Sequence, residues 1–168
     1  MSQNCTAALQ VNHTVLETLT LGVSSASLQD QFLPAYSFSN GNGSNQVQLH
    51  WEAANVTLAA SASTTYTLSA LTDSLGRTVA FSKVMLMILQ VITLTAGDYL
   101  TVGAAASHPW TAYLGGTTPT EIVYDLLVRA VAQTDGLTVT SGSSDQLKIT
   151  NSGSNPVTYM LVVVGATA

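Results

Sequence analysis

Short runs in which apolar and polar residues alternate constrain the fold of this chain more than any other feature. In Gln46–Glu52, the apolar residues Val47, Leu49 and Trp51 are separated by single polar residues. A period of two places alternate residues on opposite faces of a β-strand, whereas a helix needs a period near 3.6. Two similar runs follow, at Val56–Ala60 and Thr65–Leu71. The pattern predicts half-buried strands, with Tyr66 and Leu68 inward in the last run.

The run Val84–Leu89 is apolar at every position. Such a run is typical of a central strand that is covered on both faces. Gln90 interrupts the apolar stretch two residues before Ile92, and the stretch is too short to cross a bilayer as a helix. The sequence therefore predicts a strand in the middle of the protein and no membrane span.

Turn-forming residues separate further short runs at hairpin spacing. The clearest loop is Asn40–Asn45, because Asn and Gly tolerate positive φ angles. Further predicted strands are His13–Leu21, Tyr99–Gly103, Leu137–Thr140, Leu147–Thr150 and Val157–Val164. We predict an all-β protein: an N-terminal arm at residues 1–12 and one β-sandwich domain at residues 13–168, jelly-roll-like in type.

The segment Glu121–Ala132 carries conflicting signals. Thr118–Glu121 has the form of a capping box, and Asp125 and Arg129 are spaced one helical turn apart, which favours a helix. Alternation favours a strand, at Ile122, Tyr124, Leu126 and Val128. We assign a strand because the rest of the chain is predicted to be β.

The composition predicts a subunit of an assembly. Only 8% of the 168 residues are charged, against about a quarter in typical soluble proteins. A surface of hydroxyls, amides and alanines loses little hydration free energy when it packs against another protein. The net charge of −5, with four scattered cations, argues against nucleic acid as a direct partner.

Motifs for catalysis or cofactor binding are missing from the sequence. His13, His50 and His108 lie in separate segments without metal-ligand spacing, and the lone Cys5 excludes an internal disulfide. No nucleophile elbow, phosphate-binding loop, dinucleotide fingerprint or secretion signal is visible. We therefore expect no catalytic residues, no metal, no cofactor and no enzyme activity.

The irregular segment Ala104–Pro119 holds the residues that we consider for partner contact: His108, Trp110 and Tyr113. One interpretation is a loop that is tucked onto the edge of the sandwich. The other is contact with a partner protein or a sugar, because exposed Trp and Tyr supply a large contact area at low entropic cost.

Much of the chain resembles a group of small tailed-bacteriophage proteins. The resemblance lies in four phrases, Leu71–Val84, Leu100–Ser107, Val139–Ile149 and Tyr159–Gly165, together with Trp110 and Gly115–Gly116. Such proteins are generally virion structural components. The resemblance implies a β-sandwich or jelly roll without catalytic residues, acting as a capsid decoration (cement) protein or a minor head protein. It covers Leu71–Gly165, and residues 1–70 resemble no family that we can name.

The expected function is therefore to bind the outside of a phage capsid, with the major capsid protein as partner, and to brace neighbouring subunits. We expect assembly in the host cytoplasm, no nucleic-acid or membrane partner, and a homo-oligomer, with a trimer as first choice. Two alternatives stay open. One is a carbohydrate-binding or adhesin module of a head fibre or tail that uses Trp110 and Tyr113; the other is a jelly-roll major coat subunit.

Overall fold

The computed structural model describes residues 5–10, 13–21, 24–32, 35–113, 120–131 and 135–167, with backbone alone for residues 13–21, 24–32, 35 and 104. These residues form strands and no helix, and so contain no helix that could cross a membrane. The strands are β1 (Ala7–Gln10), β2 (His13–Leu21), β3 (Ser24–Phe32), β4 (Ala35–Asn40), β5 (Gln46–Val47), β6 (Leu49–Leu58), β7 (Ser63–Thr67), β8 (Leu71–Thr72), β9 (Thr78–Val79), β10 (Lys83–Thr93), β11 (Leu100–Ala104), β12 (Thr120–Val123), β13 (Leu126–Ala130), β14 (Leu137–Thr138), β15 (Gln146–Asn151) and β16 (Val157–Ala166).

Two antiparallel sheets form a β-sandwich, as the sequence predicts. One has the order β13-β10-β16-β6, with β14 also paired to β10; the other has the order β12-β11-β15-β7. Strands that are distant in sequence pair in nested fashion: β6 with β16, β7 with β15, β10 with β13, and β11 with β12. The chain crosses from one sheet to the other between β6 and β7, between β7 and β10 by way of β8 and β9, between β10 and β11, between β12 and β13, between β14 and β15, and between β15 and β16.

The main core lies between these sheets. Its largest fully buried side chains include Trp110, Tyr159, Leu68 and Leu89. Val47, Leu49 and Trp51 are all buried, but the prediction that they share one inward face of a single strand is wrong for Val47. The run divides between β5 and β6, and Val47 belongs to a second core while Leu49 and Trp51 belong to the first.

The second core lies on the other face of the β10 sheet. A small sheet of order β1-β4-β5 covers this face, and Phe38 and Val47 pack there with Val164 and two residues of β10. A register shift between Val84 and Leu86 directs Met85 and Leu86 to this side, while Val84 and Met87 face the main core. The prediction of a central strand covered from both sides is confirmed.

The N-terminal segment is part of the folded domain where the structure describes it. Ala7–Gln10, which the sequence analysis placed in an arm, forms β1 and pairs with β4 in the register Ala7↔Phe38. Leu9 contributes to the second core. Residues 1–4 and 11–12 of the predicted arm lie outside the described residues. The arm interpretation therefore does not hold for Ala7–Gln10, because its alternate residues bury against the sandwich.

The ambiguous segment after residue 119 forms two strands, which confirms the choice of strand over helix. The turn at Tyr124 and Asp125 separates β12 from β13 and carries the chain between the two sheets. Val123 and Leu127 are buried, whereas Ile122, Tyr124 and Leu126 are exposed. Arg129 pairs with Glu121 at 2.7 Å and not with Asp125. The capping residues Thr118 and Pro119 lie outside the described part of the chain.

Strands β2 and β3 form a long hairpin. The predicted strand His13–Leu21 is confirmed with the same bounds, and Ser24–Phe32, which the sequence left ambiguous, is its partner. Their register runs from His13↔Phe32 to Leu21↔Ser24, so all nine residues of each strand are paired. Among the described strands, neither pairs with any other.

A buried polar network joins two turns at one end of the sandwich. The Asp98 carboxylate accepts hydrogen bonds from the backbone N–H of Ser154 at 2.9 Å, the backbone N–H of Asn155 at 3.1 Å and the Asn155 side-chain amide at 3.0 Å. The fully buried Asn151 accepts the N–H of Gly153 at 2.9 Å and donates to the Asn155 carbonyl oxygen at 2.8 Å. The N–H of Ser154, followed by the Asn155 amide, lowers the pKa of Asp98.

The lowered pKa of Asp98 predicts a specific pH dependence of stability. A carboxyl whose pKa is lower in the folded state stabilises the fold above its unfolded pKa, and this contribution disappears as the pH falls through the folded value. Asp98→Asn should therefore unfold at lower urea concentration than wild type near neutral pH. The difference should shrink below about pH 4, the range where free Asp titrates. A constant difference between the two urea midpoints down to about pH 2 would contradict this role.

Candidate functional site

Trp110 and Tyr113 lie in the core and not on the surface. Trp110 is fully buried; its indole Nε1–H donates to the Thr138 carbonyl oxygen at 2.8 Å, and its backbone N–H donates to the Gln146 carbonyl oxygen at 2.8 Å. The Tyr113 ring stacks on it with centroids 5.0 Å apart and an interplanar angle of 28°. This geometry agrees with a loop tucked onto the sandwich edge. Neither ring offers a face for a sugar or a partner; residues 114–119 of the same segment lie outside the described residues.

The Tyr113 hydroxyl is buried and has no hydrogen-bond partner among the described residues. Burial raises the pKa of Tyr113 far above its usual range, and the nearby Glu121 carboxylate raises it further. The phenol therefore stays neutral. Its unsatisfied hydroxyl makes the site a cost to stability and not a source of reactivity.

His108 is the exposed member of the three residues predicted to contact a partner. Its side chain is 48% exposed, and its backbone adopts a φ of 47°, in the left-handed region that few residues other than glycine favour. Its carbonyl oxygen accepts the N–H groups of Asp145 and Gln146, which fixes the loop to the start of β15. His108 is thus held in place by the backbone while its imidazole remains accessible.

A buried carboxylate lies next to the His108 ring. Asp145 accepts the Ser69 hydroxyl at 2.6 Å and the Gly142 N–H at 3.0 Å on Oδ2, and its Oδ1 lies 3.9 Å from His108 Nδ1. The described residues supply no hydrogen-bond partner to Oδ1. A Ser-His-Asp triad needs its histidine between the serine and the acid. Here the carboxylate takes that middle position, so the arrangement braces the loop without activating Ser69.

A polar cleft of about 100 Å³ opens beside β6, lined by His50, Trp51, Glu52, Asp73, Ser74 and Arg77. The Arg77 guanidinium lies 2.7 Å from Asp73, and the Arg77 backbone N–H holds the pKa of Asp73 below its usual range more than the side chain does. Sites for drug-sized ligands enclose roughly 300 Å³ or more. The cleft is too small for a nucleotide or cofactor. No group of three or more potential metal ligands converges within the described part of the chain.

The outer surface of the four-stranded sheet β12-β11-β15-β7 is rich in hydroxyl groups, and we call it the threonine face. The registers align Ser63, Thr150, Thr101 and Ile122 in one row, and Thr65, Lys148, Gly103 and Thr120 in the next, with Thr67 and Gln146 in a third. Their neighbours in sequence, such as Leu147 and Ile149, are fully buried, so the residues of these rows face outward.

The threonine face carries one charged side chain, that of Lys148, among these ten residues. Gly103 leaves room for the Thr120 side chain on the neighbouring strand, because a Cβ at this position would lie 3.1 Å from the Thr120 hydroxyl. The hydroxyls can donate and accept hydrogen bonds, and the β-branched methyl groups can pack. Such a face can bind another protein over a wide area with little loss of charge hydration.

Large apolar side chains are exposed at the side of the sandwich where β12 and β13 are the terminal strands of their sheets. We call β12 and the following turn, Thr120–Asp125, the open edge. Ile122 is 53% exposed and Tyr124 60% exposed; Leu126, at the start of β13, is 57% exposed. The Tyr124 ring contacts Tyr99 with centroids 5.8 Å apart. Since β12 and β13 are the terminal strands of their sheets, their outer backbone groups have no partner strand among the described residues.

Comparison with protein-family models, with curated proteins and with solved structures gives no match.

The two buried tyrosines predict opposite effects of removing a hydroxyl. Tyr113→Phe removes a buried hydroxyl that has no partner among the described residues, so its free energy of unfolding should equal that of wild type or rise. Tyr159→Phe is the matched control, because the Tyr159 hydroxyl bonds that of Tyr66 at 2.7 Å. Its stability should fall by about 1 kcal/mol. Urea denaturation measures both; equal losses in the two variants would show that the Tyr113 hydroxyl is bonded.

Proposed function

We propose that this protein is a structural component of a tailed-phage virion, a decoration (cement) protein that binds the outer surface of the capsid and braces neighbouring coat subunits. The threonine face is the observation that carries this proposal. Its ten outward residues include a single charge, Lys148, and they form a surface four strands wide. The resemblance of Leu71–Gly165 to small virion proteins supports the same function.

The chemistry of the threonine face suits lasting protein contact. Removing a charged group from water costs several kcal/mol unless a partner pairs with it, whereas a hydroxyl loses far less and readily finds a new hydrogen bond. A sheet also presents its side chains at regular spacings, about 4.8 Å between strands. A regular shell offers many identical copies of one complementary surface.

The strand order supports a jelly-roll fold for the sandwich. Apart from the two-residue β14, eight strands form the two sheets β13-β10-β16-β6 and β12-β11-β15-β7, and the first of these strands, β6, pairs with the last, β16. Nested pairing of this kind is what a long two-stranded ribbon produces when it wraps into two facing sheets.

Stabilisation of the shell would follow from mass action. A protein that binds the assembled lattice and not its separated subunits stabilises the lattice by its binding free energy. A homo-oligomer, for which a trimer is the first choice, would engage several coat subunits at once and gain avidity from weak individual contacts. The proposed location is the virion surface, with assembly in the host cytoplasm and the major capsid protein as partner.

The major coat subunit of a jelly-roll virus is the second candidate, since the same sandwich could build a shell by itself. Expression alone separates the two candidates: a coat subunit would form shells, whereas a decoration protein would stay a small oligomer. The carbohydrate-binding alternative relied on Trp110 and Tyr113, and their burial leaves no aromatic platform there.

Quantitative mass spectrometry of purified virus particles tests the proposal directly. The chain should be present at a copy number comparable to that of the major capsid protein, because decoration proteins occupy repeated lattice positions. A few copies for each particle would place the chain in a tail or fibre instead. Absence from particles would reject a virion function.

Charge placed on the threonine face should block capsid binding. Ser63→Glu combined with Thr65→Glu adds two carboxylates to exposed positions on β7, and their desolvation should weaken binding to undecorated capsids by roughly tenfold or more. The matched control is Thr72→Glu with Thr78→Glu, a cross-strand pair of exposed threonines on β8 and β9. Co-sedimentation with capsids measures both, and equal binding by the two variants would contradict the assignment of this face.

A further inference from the structure

The β2–β3 hairpin lacks a sheet to join. Its two nine-residue strands, His13–Leu21 and Ser24–Phe32, pair with each other and with no other described strand. A two-stranded ribbon alone is at best marginally stable in water, and a third strand or a packed face is usually needed. The hairpin therefore needs a neighbouring strand or packed face that the described residues of its own chain do not supply.

The exposed area of the chain agrees with a missing neighbour. Its accessible surface is 9130 Å², whereas a compact monomer of the same mass, 17.5 kDa, exposes roughly 7,900 Å². The excess of roughly 1,200 Å² is of the kind that a hairpin leaves when it joins no other described strand.

The register fixes the backbone of the hairpin over its whole length, from His13↔Phe32 to Leu21↔Ser24. Each strand therefore has one edge that is paired within the hairpin and one outer edge without a partner among the described strands. Such an outer edge can pair with the backbone of a further strand.

The open edge of a second copy is the candidate acceptor for the β2–β3 hairpin. β12 ends the threonine-face sheet, and its exposed residues Ile122 and Tyr124 are apolar. Natural edge strands are usually protected by lysines, prolines or bulges. The charged pair of this edge, Glu121 and Arg129, is satisfied internally by contacts of 2.7 and 2.8 Å. Asp125, at the end of the open edge, is exposed and is the one further charged residue that an added strand would meet there.

We propose that the β2–β3 hairpin of one copy adds to the open edge of a second copy, extending the sheet β12-β11-β15-β7. The contact is heterologous, hairpin to edge, so a closed homo-oligomer built from it would be a ring. Edge-to-edge pairing of two identical copies would leave both hairpins without a sheet and is the less economical arrangement. The inference rests on the proposed homo-oligomer and identifies its interface.

Oligomeric mass tests the acceptor side. Full-length wild-type protein should elute in size-exclusion chromatography with light scattering at a multiple of 17.5 kDa. Ile122→Lys with Tyr124→Lys should shift it to the monomer mass. Leu75→Lys is the control, since Leu75 is 74% exposed on the turn between β8 and β9; it should leave the mass unchanged. A monomeric wild type, or an unchanged oligomer in the double variant with native circular dichroism, would overturn the proposal.

Disulfide trapping tests the occupant. In a Cys5→Ser background, one variant carries Ile122→Cys and the other carries Thr18→Cys or Ser27→Cys, at paired positions in the middle of the hairpin. Mixing and oxidising the two should give a mixed disulfide dimer. Ile122→Cys alone should give little, and Leu75→Cys mixed with either hairpin variant should give none. Efficient self-linking of Ile122→Cys without mixed dimers would show edge-to-edge pairing instead.

The outcome is separable from that of the proposed function. A trapped oligomer that fails to bind capsids would retain the interface and reject the capsid role. A monomeric wild type that binds capsids through the threonine face would reject the interface and retain the capsid role.

Discussion

The structure depends on β10, because this strand has apolar side chains on both faces and each face requires a cover. The sheet β12-β11-β15-β7 covers one side, and the small sheet β1-β4-β5 covers the other. Strand alternation already presents side chains on both faces, and the register shift at Met85 directs two consecutive residues, Met85 and Leu86, toward the small sheet. Strand β16 follows the same plan, with Leu161 and Val163 in the main core and Val164 in the second.

The parts of the fold that the sequence predicts well are those decided by local alternation or by an unbroken apolar run. Gln46–Glu52 and Val84–Leu89 are of this kind. The segment from Glu121 onward is different, because its alternating residues Ile122, Tyr124 and Leu126 lie on the exposed side. A turn at Tyr124 and Asp125 changes sheets, and alternation along the sequence cannot reveal where a strand crosses a sandwich corner.

The candidate surfaces show the same limit. Trp110 and Tyr113 occur in a loop-like sequence, yet tertiary packing buries both, and Trp110 reaches Thr138, 28 residues later in the chain. The threonine face combines residues from four separate strands. Composition indicates an outside rich in hydroxyls and poor in charge, but only the strand registers place those hydroxyls in rows on one face of a sheet.

The threonine face and the open edge share β12, and this connects the two proposed contacts physically. A strand added at β12 would continue the sheet. Each hairpin bound at an open edge would therefore widen the surface available to a capsid. Oligomerisation would then raise capsid affinity in two ways: by multiplying the contacts and by enlarging each of them.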